Sequence, residues 1–164
     1  MKTILDYKKV LQVQRLNSRK NPNFTYLTWL YAKIQSEIED NSSVLEIGSG
    51  AGISDDFLKG IKVLKTDILD WEDNSVIGNV DAERLPFNKN EFDYVISVDV
   101  LHHTNSPLVV LNECLRVLKP KGKLLIIEPY VSMFSFFVYK VFHHEDTSWK
   151  IDLKVMSNLE KENQ

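Results

Sequence analysis

Apolar positions along the chain change their period near residue 44. Before it, Phe24, Leu27, Leu30, Tyr31, Ile34 and Ile38 recur at intervals of three and four, with Lys33, Gln35 and Glu37 between them. That spacing predicts a helix over 24–38, with Asn23 or Thr25 at its start. A weaker helical pattern covers 3–16, and Asn21-Pro22 separates the two. From residue 44 short apolar runs take over, at 44–47, 61–64, 76–80, 94–98 and 124–127. Between the last two, Leu108, Leu111, Leu115 and Leu118 form one stripe of a helix over 106–118, stopped by Lys119-Pro120-Lys121-Gly122. Strands alternating with helices predict an α/β fold with a parallel sheet and right-handed crossovers. The link from Asp67 to Val76 is too short for a crossover helix and reads as a loop or a single turn.

A length of 164 residues suits one domain. A hydrophobic fraction of 43% with 26% charged residues excludes a collagen-like or wholly disordered chain. Cys114 is the only cysteine, so no internal disulfide forms; this fits a reducing compartment, and the expected location is the cytoplasm. The net charge of −3 argues against a nucleic-acid partner for the chain as a whole. Residues 1–35 nevertheless carry seven bases (Lys2, Lys8, Lys9, Arg15, Arg19, Lys20 and Lys33) against Asp6 alone. This basic lead either packs on the acidic remainder or meets an acidic partner, an anionic lipid or a phosphate. No stretch reaches the roughly 20 apolar residues of a transmembrane span. The first residues, charged throughout, do not form a secretory signal.

The richest segment is Val44-Leu45-Glu46-Ile47-Gly48-Ser49-Gly50-Ala51-Gly52, an apolar strand running into a loop with glycine at every second position. Such a loop lets a ligand approach the backbone, and a short helical pattern over 54–59 follows it. The spacing is G-x-G-x-G with Ile53 next, not the G-x-G-x-x-G of a dinucleotide site, and no Gly-Lys-Ser/Thr marks a P-loop. Glu46 would repel a pyrophosphate but suits an ammonium, which favours a zwitterionic ligand. Asp67, at the end of the second strand, is placed to accept the hydroxyls of a ribose. Asp81, at the end of the third, is placed to accept from an adenine amino group, with the Ala82 N–H facing a ring nitrogen. The alternatives are a ligand-free tight turn for Gly48 and Gly50, a solvated loop acid for Asp67, and an Asx-turn or helix cap for Asp81. Asp93 reads as structural, and Cys114 as packing.

With these residues in place, the sequence resembles the class I S-adenosylmethionine-dependent methyltransferases, in the group with LPF after the third strand and LHH after the fourth. The matching segments are VLEIGSGAG (44–52), Asp67, VDAERLPF (80–87), FDYVISVDVLHH (92–103) and LNECLRVLKPKGKLLIIEP (111–129). They span about 42–130, roughly half the chain, in the family's order. The resemblance implies a Rossmann-like three-layer sandwich and S-adenosyl-L-methionine as cofactor. It implies that Glu46, Gly48, Ser49 and Gly50 hold the methionine end, and that Asp67 takes the ribose with Ile68 against the adenine. Asp81 and Ala82 then read the adenine edge, and the backbone at Ser97 and Val98 faces the ammonium and the sulfonium. The implied activity is methyl transfer to a small-molecule or a glycan- or lipid-linked acceptor. The alternatives are a non-catalytic S-adenosylmethionine-binding module or inactive truncated relative and, more weakly, a nicotinamide-dependent oxidoreductase, disfavoured by Ile53 and Glu46.

His102 and His103 follow the fourth strand, near the expected position of the methyl group. Either takes a proton from the acceptor as a catalytic base, or the pair caps and packs. Adjacent histidines make a poor two-ligand set, the family carries LHH without metal, and no metal is expected. The aromatic run over 130–142 has three readings: a buried helix, a lid over an apolar or lipid-linked acceptor, or a peripheral membrane anchor. The resulting division is a helical segment over 1–41, a cofactor-binding core over 42–130, and an aromatic helix with a polar tail over 131–164. The last two strands of the family's seven-stranded sheet are expected to be missing, with 151–156 as the one further candidate. The fifth strand's edge would then be open to pairing, including with a second copy of the chain.

Overall fold

In the computed structural model the described residues are 24–71 and 75–129. The chain divides into two units, Met1–Glu128 and Pro129–Gln164. The expected helix over 3–16, the aromatic run and the strand candidate at 151–156 lie outside the described residues.

Helix α1 (Phe24–Glu37) precedes strand β1 (Val44–Ile47), and β2 (Val63–Lys65), β3 (Phe92–Val98), helix α2 (Pro107–Val117) and β4 (Leu118–Ile127) follow. The four strands form one parallel sheet in the order β2-β1-β3-β4. Leu45 pairs with Leu64 on one side and Val95 on the other, and Val95 pairs with Leu124. Successive strand residues face opposite sides. Leu45, Ile47 and Val95 pack with Val110, Cys114 and Val117 of α2, while Val44, Tyr94 and Ile96 pack with Leu30, Tyr31 and Ile34 of α1. The result is the expected three-layer α/β sandwich. Burial pushes the Cys114 thiol up to about 12, so it is a packing residue.

Three expected elements differ. The run over 76–80 is not a strand: only Ile77 pairs, as an isolated parallel bridge to Thr66. Asn79 adopts φ +57°, and a Cβ on Gly78 would come within 2.7 Å of the Asp70 Cα, so the chain bends away after one pair. The helix expected over 54–59 is a single 3-10 turn, Ile53–Asp56. The Lys119-Pro120-Lys121-Gly122 stop ends α2 but not the pairing. Leu118 pairs with Phe92, the register shifts, and Lys123 resumes opposite Tyr94, with Lys121 at φ +70°.

At the N-terminal ends of the strands, Asp93 Oδ2 accepts from the Ser43 N–H (2.9 Å), the Ser43 hydroxyl (2.6 Å) and Lys119 Nζ (2.8 Å). Lys119 and Ser43 hold its carboxyl down at about 2. This ties β1, β3 and β4 together on the side away from the glycine loop. No helix among the described residues is long and apolar enough to cross a membrane. Among them β4 has no partner strand on its outer edge.

Candidate functional site

The glycine loop leaves β1 through three residues in the left-handed region: Gly48 (φ +58°), Gly50 (φ +54°) and Gly52 (φ +68°). A Cβ on Gly48 would lie 2.6 Å from Val100 Cγ2, so the loop needs glycine there to let the end of β3 close against it. A Cβ on Gly50 would meet nothing within 4 Å. That side of the loop is open to an approaching ligand.

Glu46 is the charged member of an otherwise apolar strand, and strand alternation turns it toward α1. There Oε1 accepts from the Tyr31 hydroxyl (2.9 Å) and Oε2 from the Ser54 hydroxyl. Burial pushes its carboxyl up to about 7, against the pull of both hydroxyls and of nearby Lys65. Burial and the facing Glu46 together push the Tyr31 phenol well up. Lys65, itself buried, pairs with Asp55 beneath the loop.

Asp67 stands just past β2. Its Oδ2 accepts from the Gly50 N–H (2.8 Å) and its Oδ1 from the Leu69 N–H (2.8 Å), so one carboxylate fixes both its own loop and the glycine loop. Each oxygen keeps a second acceptor position for a ligand hydroxyl. Ile68 beside it is 61% exposed, an apolar surface of the kind a flat ring would cover. The Val80 N–H donates to the Asp67 carbonyl (2.9 Å), which sets Asp81 next in line along the same rim. Asp81 Oδ1 accepts from the Glu83 N–H (2.9 Å), an Asx-turn, and Ala82 packs on the α2-side core.

The loop after Asp81 has no regular structure; α2 holds it. Arg116 donates to the carbonyls of Leu85 (2.9 Å) and Phe87 (2.8 Å), while its partner Glu113 accepts from the Leu85 N–H (2.8 Å). Glu83 in turn accepts from the Ser106 N–H at the start of α2. Sequence reasoning noted the segment over 111–129 without finding this clamp. The signal was there in the i, i+3 pair Glu113 and Arg116.

Ser97, fully buried in β3, pairs with Ile47 and Ile126, and Val98 pairs with Ile127 and packs toward α1. The hydroxyls of Ser49 and Ser97 are buried and have no hydrogen-bond partner in the protein. Buried polar groups are ordinarily satisfied. Two orphan hydroxyls at the ends of neighbouring strands, with the open face of Gly50, fit a polar ligand laid across the rim.

Past β3, Asp99 (φ +55°) leads into the 3-10 turn Leu101–His103. Glu128, directly after β4, receives three donors there. Oε1 accepts from the N–H groups of Val100 (2.9 Å) and Leu101 (2.8 Å), and Oε2 accepts from His102 Nδ1 (2.7 Å). Burial alone would raise the Glu128 carboxyl, but these bonds outweigh it and leave it below the usual range. Asp99 is raised by burial and by facing Glu128. The His103 ring lies 3.9 Å from that of His102, centroid to centroid. Glu128 was missed at the sequence level, although it stands at a strand tip as Asp67 does. Among the described residues no three His, Cys, Asp or Glu side chains converge as metal ligands.

A cavity of about 400 Å³ opens at the other end of the sheet, bounded by Glu39, Ser43, Lys62 and Phe92 among others. It has none of the rim carboxylates. Parallel sheets bind ligands at the C-terminal ends of their strands, so the rim is the candidate site.

Comparison with known proteins bears on the family and the fold. The methyltransferase domain family matches residues 45–126. An uncharacterized protein of Methanocaldococcus jannaschii is 32% identical over 111 residues, covering 61% of this chain and 48% of the relative. The ubiquinone/menaquinone biosynthesis C-methyltransferase UbiE of Idiomarina loihiensis is 33% identical over 112 residues, covering 57% and 45%. The chain thus spans about half the length of these curated relatives. Among solved structures, a protein of Pyrococcus horikoshii superposes with a TM-score of 0.60 at 25% identity, covering 73% of this chain and 61% of that one. An S-adenosylmethionine-dependent methyltransferase of Aquifex aeolicus gives 0.54 at 23% identity, covering 70% and 72%, and speaks to the fold.

Proposed function

The chain belongs to the methyltransferase domain family, whose cofactor is S-adenosyl-L-methionine, and from that membership we propose that it binds this cofactor along the rim of β1, β2 and β3 and transfers its methyl group to an acceptor. One observation carries the reading. The Gly50 amide donates to the Asp67 carboxylate and the Val80 N–H, next to Asp81, donates to the Asp67 carbonyl, and this run of hydrogen bonds supports the reading. The orphan hydroxyls of Ser49 and Ser97 support it.

In this reading the backbone of Gly48, Ser49 and Gly50, with Glu46 behind them, receives the amino-acid end. Asp67 accepts from the ribose hydroxyls, Ile68 covers the adenine, and Asp81 with the Ala82 N–H reads its edge. The backbone at Ser97 and Val98 faces the ammonium and the reacting sulfur. When bound, the cofactor supplies an electrophilic methyl group together with its own leaving group, so positioning the acceptor supplies much of the rate. His102 and His103 stand where an acceptor proton would leave. The acceptor is a small molecule or a glycan- or lipid-linked one, and the chain acts in the cytoplasm.

Calorimetric titration with S-adenosylmethionine, S-adenosylhomocysteine and NAD tests the cofactor. Micromolar binding of the sulfur compounds without NAD binding is expected, and the reverse overturns the proposal. Turnover on an acceptor panel separates an enzyme from a binding module.

A further inference from the structure

No residue of α1 is among the proposed subsites, yet this helix holds the segment that follows the glycine loop at three points. The Tyr31 ring stacks on Phe57, with 5.2 Å between centroids and 5° between planes. The Tyr31 hydroxyl donates to Glu46 Oε1 (2.9 Å), and Glu46 Oε2 accepts from the Ser54 hydroxyl. One turn further along α1, Gln35 meets the Lys59 backbone with both ends of its amide: Nε2 donates to the carbonyl (3.2 Å) and Oε1 accepts from the N–H (3.3 Å). Resting on the reading above, we infer that α1 is part of the cofactor-binding machinery, with Tyr31 as the positioning residue that fixes the glycine loop through Glu46 and Ser54.

Glu46 stands two residues before Gly48 and Ser54 two residues after Gly52, so the bond between them closes the loop at its base. The loop itself is built on three left-handed glycines and has little stiffness of its own. A helix after it would brace it from the far side, but the chain forms only the 3-10 turn Ile53–Asp56 there. The brace comes from α1 instead. Tyr31, Glu46 and Ser54 are all buried, so water does not stand in for a bond lost among them. A ligand on the loop then favours a seated α1, and a seated α1 favours the ligand to the same degree. The charge on Glu46 is part of this coupling. Tyr31 on α1, Lys65 on β2 and Asp55 in the turn face it, and Asp99 after β3 faces Tyr31. Each of the two hydroxyls favours the ionised carboxylate, so losing the Tyr31 donor moves the Glu46 titration upward.

The test is calorimetric titration with S-adenosylhomocysteine across pH 6–9, on the unaltered chain and on Tyr31→Phe, which keeps the ring on Phe57 and removes the hydroxyl. In the variant the affinity at pH 7 is expected to fall about fivefold, and its rise with pH to move to higher pH. An unchanged affinity overturns the inference. So does a loss by one factor at every pH, which a purely structural tyrosine would give, and so does a flat profile in the unaltered chain. Amide exchange of the unaltered chain decides the matter even if the variant fails to fold. S-adenosylhomocysteine should slow the amides of 24–37 by a larger factor than those of 118–123, at the start of β4, and equal factors overturn the inference. Binding without these effects removes this inference alone, whereas absence of binding removes the cofactor reading beneath it.

Discussion

The Gly50 amide donates to Asp67 Oδ2 across 2.8 Å, and this bond ties the loop after β1 to the tip of β2. Asp67→Ala leaves the Gly50 and Leu69 amides without their acceptor and removes the proposed ribose contact. Each lost bond to a charged group is worth roughly 1.5–3 kcal/mol. S-adenosylhomocysteine affinity is expected to fall at least tenfold by calorimetry, with a lower melting temperature. Unchanged affinity would remove Asp67 from the site.

Gly48 and Gly50 share a left-handed backbone but face different surroundings. Gly48→Ala drives a methyl into Val100 and should be destabilising by more than the roughly 1 kcal/mol of a simple left-handed alanine. Gly50→Ala meets no protein atom, so its folding cost stays near that smaller figure while ligand affinity drops. Chemical denaturation and calorimetry on the two variants should therefore rank them in opposite orders.

Glu46 gives a pH dependence of unusual sign. Its folded carboxyl sits at about 7, above the ordinary 4.5, so the folded chain binds the proton more tightly than the unfolded one. Its contribution to stability is full below the ordinary value and is lost as pH rises toward 7. At about 1.4 kcal/mol per pH unit the loss is roughly 3 kcal/mol. Glu46→Gln should flatten this fall in urea melts at pH 5 and 8, and be the more stable protein at pH 8. If the ionised form holds an ammonium, S-adenosylhomocysteine should bind more tightly at pH 8 than at pH 6 in the unaltered chain, and not in the variant.

Arg116→Ala strips two backbone carbonyls of their donor and breaks the pairing with Glu113. A loss of about 1–3 kcal/mol is expected, with faster amide exchange over 81–90. Arg116→Lys should not restore it, since a single ammonium cannot reproduce the planar fork. Slow exchange preserved in Arg116→Ala would contradict the clamp.

The layers and the glycine loop were legible because they rest on local signals: the change of apolar period at residue 44 and glycines where the backbone turns left-handed. The third strand was misread because apolar runs carry no record of partners. Val76 and Val80 are buried as a strand's residues would be, yet Asn79 turns the chain after one bridge. Tyr31 and Glu128 escaped for a different reason. A tyrosine in a helical stripe looks like packing, and its hydroxyl meets Glu46 only once α1 lies across the sheet. Glu128 gains its role from a turn 26 residues earlier, a relation no spacing rule encodes.

The clamp on the loop after Asp81 grips main-chain atoms alone, the N–H and carbonyl of Leu85 and the carbonyl of Phe87. The outward side chains at Arg84, Pro86, Asn88 and Lys89 take no part in that grip. Their identities can therefore drift, or be rewritten by design, while the path of the loop is inherited unchanged from the helix behind it.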